Sequence, residues 1–170
     1  MTCIVGISDG THVHIGGDRG ISDNETIISM SRPKIGVRGD WIYGYAGDLG
    51  IGQSIEVIDL PIVEEGDDPY MLIVNELIYT LHERIDRLIS NDGPQADLII
   101  GCKGRLFELN TEAWGVAEVQ ETSIGSGSQF SLGSLYSTIG KDPIDRIGLS
   151  LGAAITYSTS CQGPIDILSL

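Results

Sequence analysis

The run Thr2-Cys3-Ile4-Val5-Gly6-Ile7-Ser8 constrains this chain more than any other part of it. Both alternating sets of side chains are largely apolar, so as a strand it offers no face to water. Such a strand needs a covering layer on each side. Asp9-Gly10 follows, a strong signal for a tight hairpin. Residues 11–17 then read as the returning strand. Gly16-Gly17-Asp18 ends it, and the missing side chains there let another backbone approach closely.

Further elements follow along the chain. Residues 19–29 read as a loop with a short strand at Thr26-Ile27-Ile28. Residues 34–38 and 41–46 flank Gly39-Asp40 as a second hairpin. A short helix is expected over residues 53–60. Asp68 is a good N-cap and Pro69 suits the first helical position. Behind them Met71, Val74, Ile78, Leu81, Ile85 and Leu88 recur at spacings of three and four. That stripe predicts a helix to about Ser90, with Asn91-Asp92-Gly93-Pro94 as its stop. Residues 96–102 and 105–109 form a hairpin about Lys103-Gly104, and residues 116–124 predict a further strand. Gly125-Ser126-Gly127-Ser128 opens a helical stretch to about Ile139. Asp142-Pro143 starts another to about Gly152. Residues 153–159 read as a strand, and the last residues as a final edge. The pattern predicts an α+β fold, with helices covering the outer faces of a two-sheet, largely antiparallel core.

Composition narrows the function. With 170 residues, 41% of them hydrophobic, the chain can bury one sizeable core, and residues 1–170 read as a single domain. Ten basic against 24 acidic residues leave a net charge of -14, which argues against nucleic acid and against anionic membranes. No apolar run approaches the roughly 20 residues of a membrane helix. The start lacks a basic region and breaks at Asp9-Gly10, so no signal peptide is read and the cytoplasm is expected. Cys3, Cys102 and Cys161 give neither a disulfide framework nor zinc spacing.

Thr2 is the most informative position. Threonine is small, so removal of Met1 is expected. Thr2 would then carry a free α-amine beside its own hydroxyl. An α-amine has an ordinary pKa of about 7.7–8.0, low enough to act as a base near neutrality. An N-terminal amine paired with a threonine hydroxyl is an activated nucleophile. Other motifs carry less. Gly125-Ser126-Gly127-Ser128 lacks the Lys-Ser/Thr of a phosphate loop. His12 and His14 share a strand face with no third ligand nearby. Glu64-Glu65 and Asp67-Asp68 read as a solvated helix lead-in.

Five stretches together resemble the proteasome β-subunit family, closest to its bacterial HslV-type branch. They are Thr2-Cys3-Ile4-Val5-Gly6, Ile15-Gly16-Gly17-Asp18, Lys34, Gly44-Tyr45-Ala46-Gly47 and Ser123-Ile124-Gly125-Ser126-Gly127. The resemblance implies a four-layer αββα sandwich, the N-terminal-nucleophile hydrolase fold. It implies Thr2 as nucleophile, with Lys34 close by to lower the amine's pKa and Asp18 pairing with Lys34. It implies Gly44 as an oxyanion-hole N–H donor and Ser126 as the proton relay near the amine. The implied activity is a threonine endopeptidase, with active sites inside a self-assembled homo-oligomeric ring, a stacked double hexamer or heptamer. An AAA+ ATPase unfoldase would feed it unfolded polypeptide. No cofactor is required. A structural Na or Mg ion would sit on the backbone carbonyls of Gly152, Ile155 and Ser158. The family's late acid has no counterpart in Gly152-Ala153-Ala154-Ile155-Thr156-Tyr157-Ser158. That leaves two alternatives open, an inactive structural ring subunit and a small-molecule amidase.

Overall fold

The computed structural model describes residues 2–22, 25–87 and 95–170. In chain order the first strands are β1 (Ile4–Ser8), β2 (Val13–Asp18), β3 (Gly20–Ser22), β4 (Ile27–Ser29), β5 (Ile35–Arg38) and β6 (Trp41–Gly47). After a helical region come β7 (Ala96–Cys102), β8 (Arg105–Asn110), β9 (Val116–Val119), β10 (Glu121–Ile124) and, at the end, β11 (Ile165–Ser169). One antiparallel sheet has the order β10-β1-β2-β11 and the other β5-β6-β7-β8-β9, while β3 and β4 make a small ribbon.

The two sheets face each other across Ile4, Val13, Ile15, Ile35, Ile42, Ile99, Leu106 and Ile124. On the outer face of the five-stranded sheet, Tyr43, Tyr45, Leu98, Ile100 and Phe107 pack against Ile73, Leu77 and Leu81 of the helical region. On the other outer face, Cys3, Val5 and Ile7 pack against helices α4 (Ser128–Ser137) and α5 (Pro143–Tyr157). The result is the four-layer αββα arrangement. It also explains why the first strand has no polar face: Ile4 looks into the sandwich and Val5 into the helices. Gly6 is bare because the facing sheet comes close; a Cβ there would stand 2.9 Å from Ile99 Cγ2.

Several predicted elements shift. The expected helix at 53–60 begins earlier, as α1 (Leu49–Gly52) capped by Asp48, and continues as a 3-10 turn over Gln53–Glu56. Asp68 and Pro69 do start the long helical region, with Asp68 Oδ1 accepting from the Tyr70 N–H at 3.0 Å. That region is α2 (Pro69–Leu72), a π-helical turn over Ile73–Leu77, and α3 (Ile78–Asp86). The wider turn changes which residues face inward. Ile73, Leu77, Leu81 and Ile85 are buried, while Met71 and Val74 from the predicted stripe are exposed. Leu88, the end near Ser90 and the stop at 91–94 lie outside the described residues.

Residues 116–124 form two strands in different sheets. Alternation continues through a strand that changes sheets, so the sequence does not mark the break at Gln120, whose carbonyl accepts from the Ser8 N–H at 2.7 Å. The strand expected at 153–159 is the last part of α5 and the turn after it. Ile155, Thr156 and Tyr157 favour strands locally. The burial of Ile147, Leu151 and Ala154 against β1 and β2 outweighs that preference and keeps the chain helical.

At Gly16 and Gly17 the close neighbours are mostly side chains rather than the expected backbone. A Cβ on Gly16 would lie 2.3 Å from Ile147 Cγ2 and 2.9 Å from Leu151 Cδ1, and one on Gly17 2.7 Å from Ile4 Cδ1. Gly16→Val is therefore expected to lift α5 off the sheet, at a cost of about 1–3 kcal/mol from overpacking. Denaturant unfolding of the two proteins measures it, and an unchanged midpoint would contradict this packing.

Candidate active site

Thr2, Asp18, Lys34 and Ser126 come together at one end of the sandwich. Thr2 lies just ahead of β1, Asp18 ends the paired strand β2, and Lys34 immediately precedes β5 in the other sheet. Ser126 sits on the turn between β10 and α4. Thr2, Asp18 and Lys34 are 3%, 0% and 3% exposed, so these three are almost wholly buried, while Ser126 is exposed.

The hydrogen bonding is dense. Lys34 Nζ donates to Thr2 Oγ1 at 2.7 Å, to Asp18 Oδ1 at 3.3 Å and to the carbonyl of Gly20. These match the three N–H bonds of an ammonium. Asp18 Oδ1 also accepts from the Cys3 N–H, and Oδ2 accepts from the N–H groups of Gly20 and Gln162, each at 2.9 Å. Burial pushes the pKa of Lys34 below its ordinary 10.5, and the charge of Asp18 pulls it partly back. A cationic donor at the Thr2 hydroxyl stabilises negative charge forming on Oγ1.

The other side of Thr2 faces the turn at Gly125. The Thr2 nitrogen meets Ser126 Oγ at 3.2 Å, and the Thr2 carbonyl accepts from the Gly127 N–H at 3.2 Å. Gly125 has φ of 89°, and a Cβ there would stand 2.3 Å from the Thr2 carbonyl oxygen. Only glycine fits that close approach. Cys3, next in sequence, is turned away from this cluster. Its side chain is buried on the opposite face of the strand, and burial pushes its thiol up to about 11.

Gly44 is not brought to this cluster. It lies inside β6, paired with Ile35 on one side and Ile99 on the other, and a Cβ on it would stand 2.7 Å from Ile4 Cγ2. Its role is to let the sheets close. Gly47, in the same motif, has different surroundings. The Tyr45 N–H is spent on the Lys34 carbonyl at 3.2 Å. Two residues on, the Gly47 N–H points to the same side of β6, past the start of β5. Gly47, with φ of 101°, ends the strand there. Both glycines belong to the one Gly44-Tyr45-Ala46-Gly47 motif, and only the strand's end distinguishes their surroundings. Gly20, Gln162 and Cys161 also border the cluster. The first two act through backbone atoms, which leave no side-chain mark in a sequence.

The remaining sequence features lie elsewhere. His14 meets Ser169 Oγ at 2.7 Å and Asp9 at 3.5 Å. The acidic lead-in folds about two cations, Lys103 Nζ on the Glu64 carbonyl and Arg105 between Asp68 and Glu118. Among the described residues no group of three or more His, Cys, Asp or Glu is arranged to hold a metal ion, and no helix is long and apolar enough to cross a membrane. Gly152 and Ile155 lie in the last turns of α5 and Ser158 is its C-cap. The carbonyls of Ile155 and Ser158 lie at the negative end of the helix dipole, while that of Gly152 lies a turn further in. The Gly152 carbonyl already accepts from Thr156 Oγ1 at 2.7 Å.

No protein-family profile and no curated protein sequence matches the chain. Solved structures do. BPH of Thiobacillus denitrificans in complex with epoxomicin superposes with a TM-score of 0.78 at 18% identity, covering 99% of this chain and 98% of that one. The same protein in a second structure gives 0.76 at 20% identity, covering 100% and 97%. Eukaryotic HslV from Trypanosoma brucei gives 0.72 at 18% identity, covering 99% of each. The chain has the fold of these proteins, as the resemblance in its sequence implied.

Asp18→Ala would strand an ammonium and three backbone N–H groups. It is expected to cost about 3–5 kcal/mol, as when one partner of a buried pair is removed. Lys34→Met alone should also destabilise, and the double variant should cost clearly less than the sum. A denaturant double-mutant cycle measures this, and strict additivity would mean the two do not interact.

Proposed function

We propose that this chain is a threonine endopeptidase whose nucleophile is the hydroxyl of Thr2. The observation that carries the reading is the 2.7 Å contact from Lys34 Nζ to Thr2 Oγ1 inside a buried, fully bonded cluster. Cleavage of the Met1–Thr2 bond turns the Thr2 nitrogen into an amine. That amine takes the hydroxyl proton as Oγ1 adds to a peptide carbonyl. Lys34 stays cationic, disfavours protonation of the amine in the resting site and steadies charge on Oγ1. Asp18 holds Lys34 in place. The Gly47 N–H receives the oxyanion, a contribution of about 3 kcal/mol in comparable sites. The amine returns its proton to the departing nitrogen, which leaves an ester on Thr2. Water, deprotonated by the same amine, then hydrolyses the ester. Ser126, at the Thr2 nitrogen, relays the proton. The scheme needs no cofactor. A Na or Mg ion on the carbonyls of Gly152, Ile155 and Ser158 would have a structural role, with Thr156 Oγ1 giving way.

The proposed setting is a homo-oligomeric ring in the cytoplasm, a stacked double hexamer or heptamer, fed with unfolded polypeptide by an AAA+ ATPase. The likeness to HslV and BPH supports it, as does exposed apolar surface on the outer helices. Tyr136 and Tyr157 on α4 and α5 are 78% and 71% exposed, and Tyr79 on α3 is 65% exposed. Such faces suit an interface repeated under closed symmetry.

Intact mass of the protein from its own host should show loss of one methionine. Hydrolysis of a fluorogenic peptide should fall on the order of a thousandfold or more in Thr2→Ala and in Lys34→Ala. Epoxomicin should block the wild-type turnover. Equal turnover in all three proteins would remove the mechanism. Retained Met1 with no turnover would leave a structural ring subunit, and a preference for small acyl amides an amidase.

The pH profile is a separate check. Lys34 must be cationic, so activity should fall as pH rises through its folded pKa, below 10.5. The folded state releases this proton before the unfolded chain does. The cost of the buried charge is therefore present below the folded pKa and relieved as pH rises toward 10.5. An alkaline limb at or above the ordinary lysine value would contradict the assignment.

A further inference from the structure

Arg19 stands in the chain between Asp18 and Gly20, whose carboxylate and carbonyl accept two of the N–H bonds of Lys34. Its Nε donates to Asp166 Oδ2 and its Nη2 to Asp166 Oδ1, each at 2.6 Å, so the guanidinium grips that carboxylate as a fork. Nη1 donates to the Ser31 carbonyl, also at 2.6 Å. The backbone of Arg19 is tied as well: its N–H donates to the Gln162 carbonyl at 3.1 Å, and its carbonyl accepts from the Met30 N–H at 2.8 Å. Asp166 is itself fixed, because β11 pairs with β2 and sets Asp166 opposite Gly17. Ser31 precedes Lys34 by three residues, and the ring-locked φ of Pro33 stiffens the link between them. One side chain therefore connects β11, the corner between β2 and β3, and the segment that leads into Lys34. The fork adds little to stability, because both side chains are reached by water, at 22% and 23% exposed. What a bidentate pair supplies here is direction.

We propose that Arg19, anchored on Asp166, is a positioning residue for Lys34: its fork fixes the Ser31–Lys34 segment against the corner at Asp18 and Gly20, and so keeps Lys34 Nζ within hydrogen-bond reach of Thr2 Oγ1. The inference rests on the reading of Thr2 as the nucleophile and extends it to two residues beyond Thr2, Asp18, Lys34 and Ser126. Lys34 reaches Thr2 Oγ1 from the second sheet, whereas Asp18 and Gly20 reach Lys34 from the first. Any slip between the two sheets at this end would carry the ammonium away from the hydroxyl. Arg19 opposes that slip, since Asp166 lies in the first sheet and Ser31 leads into the second. A displacement of that kind would also let water reach the Lys34 ammonium, whose pKa is held down chiefly by burial.

Turnover and the titration of Lys34 test this together. The chain is released from an N-terminal fusion so that Thr2 carries a free amine. In Arg19→Ala, kcat for a fluorogenic peptide should fall about tenfold to a hundredfold with KM unchanged, as a misplacement of about 1 Å does. Arg19→Lys keeps the charge without the fork and should behave like the alanine variant. Asp166→Asn removes the anchor, should lower kcat in the same way, and serves if Arg19→Ala does not fold. The Lys34 side-chain resonance, followed with pH, should titrate closer to the ordinary 10.5 in these variants than in the wild type. The titratable groups around Lys34, which are Asp18, Cys161 and Cys3, are left in place by all of them. Arg105→Ala removes a comparable fork, to Glu118 on the far edge of the five-stranded sheet, and should change neither kcat nor the Lys34 midpoint. Wild-type kcat in Arg19→Ala or Asp166→Asn overturns the inference, as does full rescue by Arg19→Lys, an unmoved Lys34 midpoint or an equal loss in Arg105→Ala. If the wild type cleaves no peptide, the endopeptidase reading fails by itself, while the Lys34 titration in the same variants still decides the role of Arg19.

Discussion

The carboxylate of Asp18 is the joint on which the site depends. It is wholly buried and would be a costly charge to hold there unpaired. Its two oxygens accept from Cys3, Lys34, Gly20 and Gln162, so one side chain ties the beginning of β1, the end of β2, the start of β5 and the segment before β11. Those elements belong to both sheets and to both ends of the chain. The pair it makes with Lys34 adds little net stability, because desolvation offsets the attraction. What it fixes is position. Lys34 Nζ has only three N–H bonds, and once Asp18 and the Gly20 carbonyl take two of them, the third points at Thr2 Oγ1.

The same geometry explains why Thr2 stands at the head of a strand with no polar face. β1 lies between β10 and β2, and its side chains alternate between the facing sheet and α4 with α5. A strand held on all four sides keeps its leading residue still, which matters for a hydroxyl that must stay within hydrogen-bond reach of an ammonium. The bare positions Gly6, Gly16, Gly17 and Gly44 let neighbouring layers close on this strand and its partners.

Much of this was legible in the sequence because it is written in local patterns. The hairpins about Asp9-Gly10 and Lys103-Gly104, the two-sided strand at residues 2–8 and the caps at Asp68 and Asp142 each follow from short-range chemistry. Thr2, Asp18, Lys34 and Ser126 could be named because they are side chains in recognisable stretches. What escaped was set by tertiary structure. The π-helical turn at Ile73–Leu77 rotates the buried stripe by an amount that no spacing rule anticipates. The end of α5 is helical because Leu151 and Ala154 are buried, against the local preference of Ile155 to Tyr157. Gly44 and Gly47 stand in one motif, and only the point where β6 outruns β5 separates a glycine packed between the sheets from one at the strand's open end.

Two of the contacts that assemble the site are among the longest-range in the molecule. Thr2 meets Ser126 across 124 positions, and Gln162 meets Asp18 across 144. Loop closure on that scale is costly, and such contacts form only when the sheets they belong to have paired. A partly folded chain would carry the threonine but not the ammonium aimed at it or the hydroxyl beside its nitrogen. Competence for chemistry is thus coupled to completion of the sandwich. In a chain read as a peptidase, that coupling withholds a working nucleophile from intermediates whose own backbone is still exposed to cleavage.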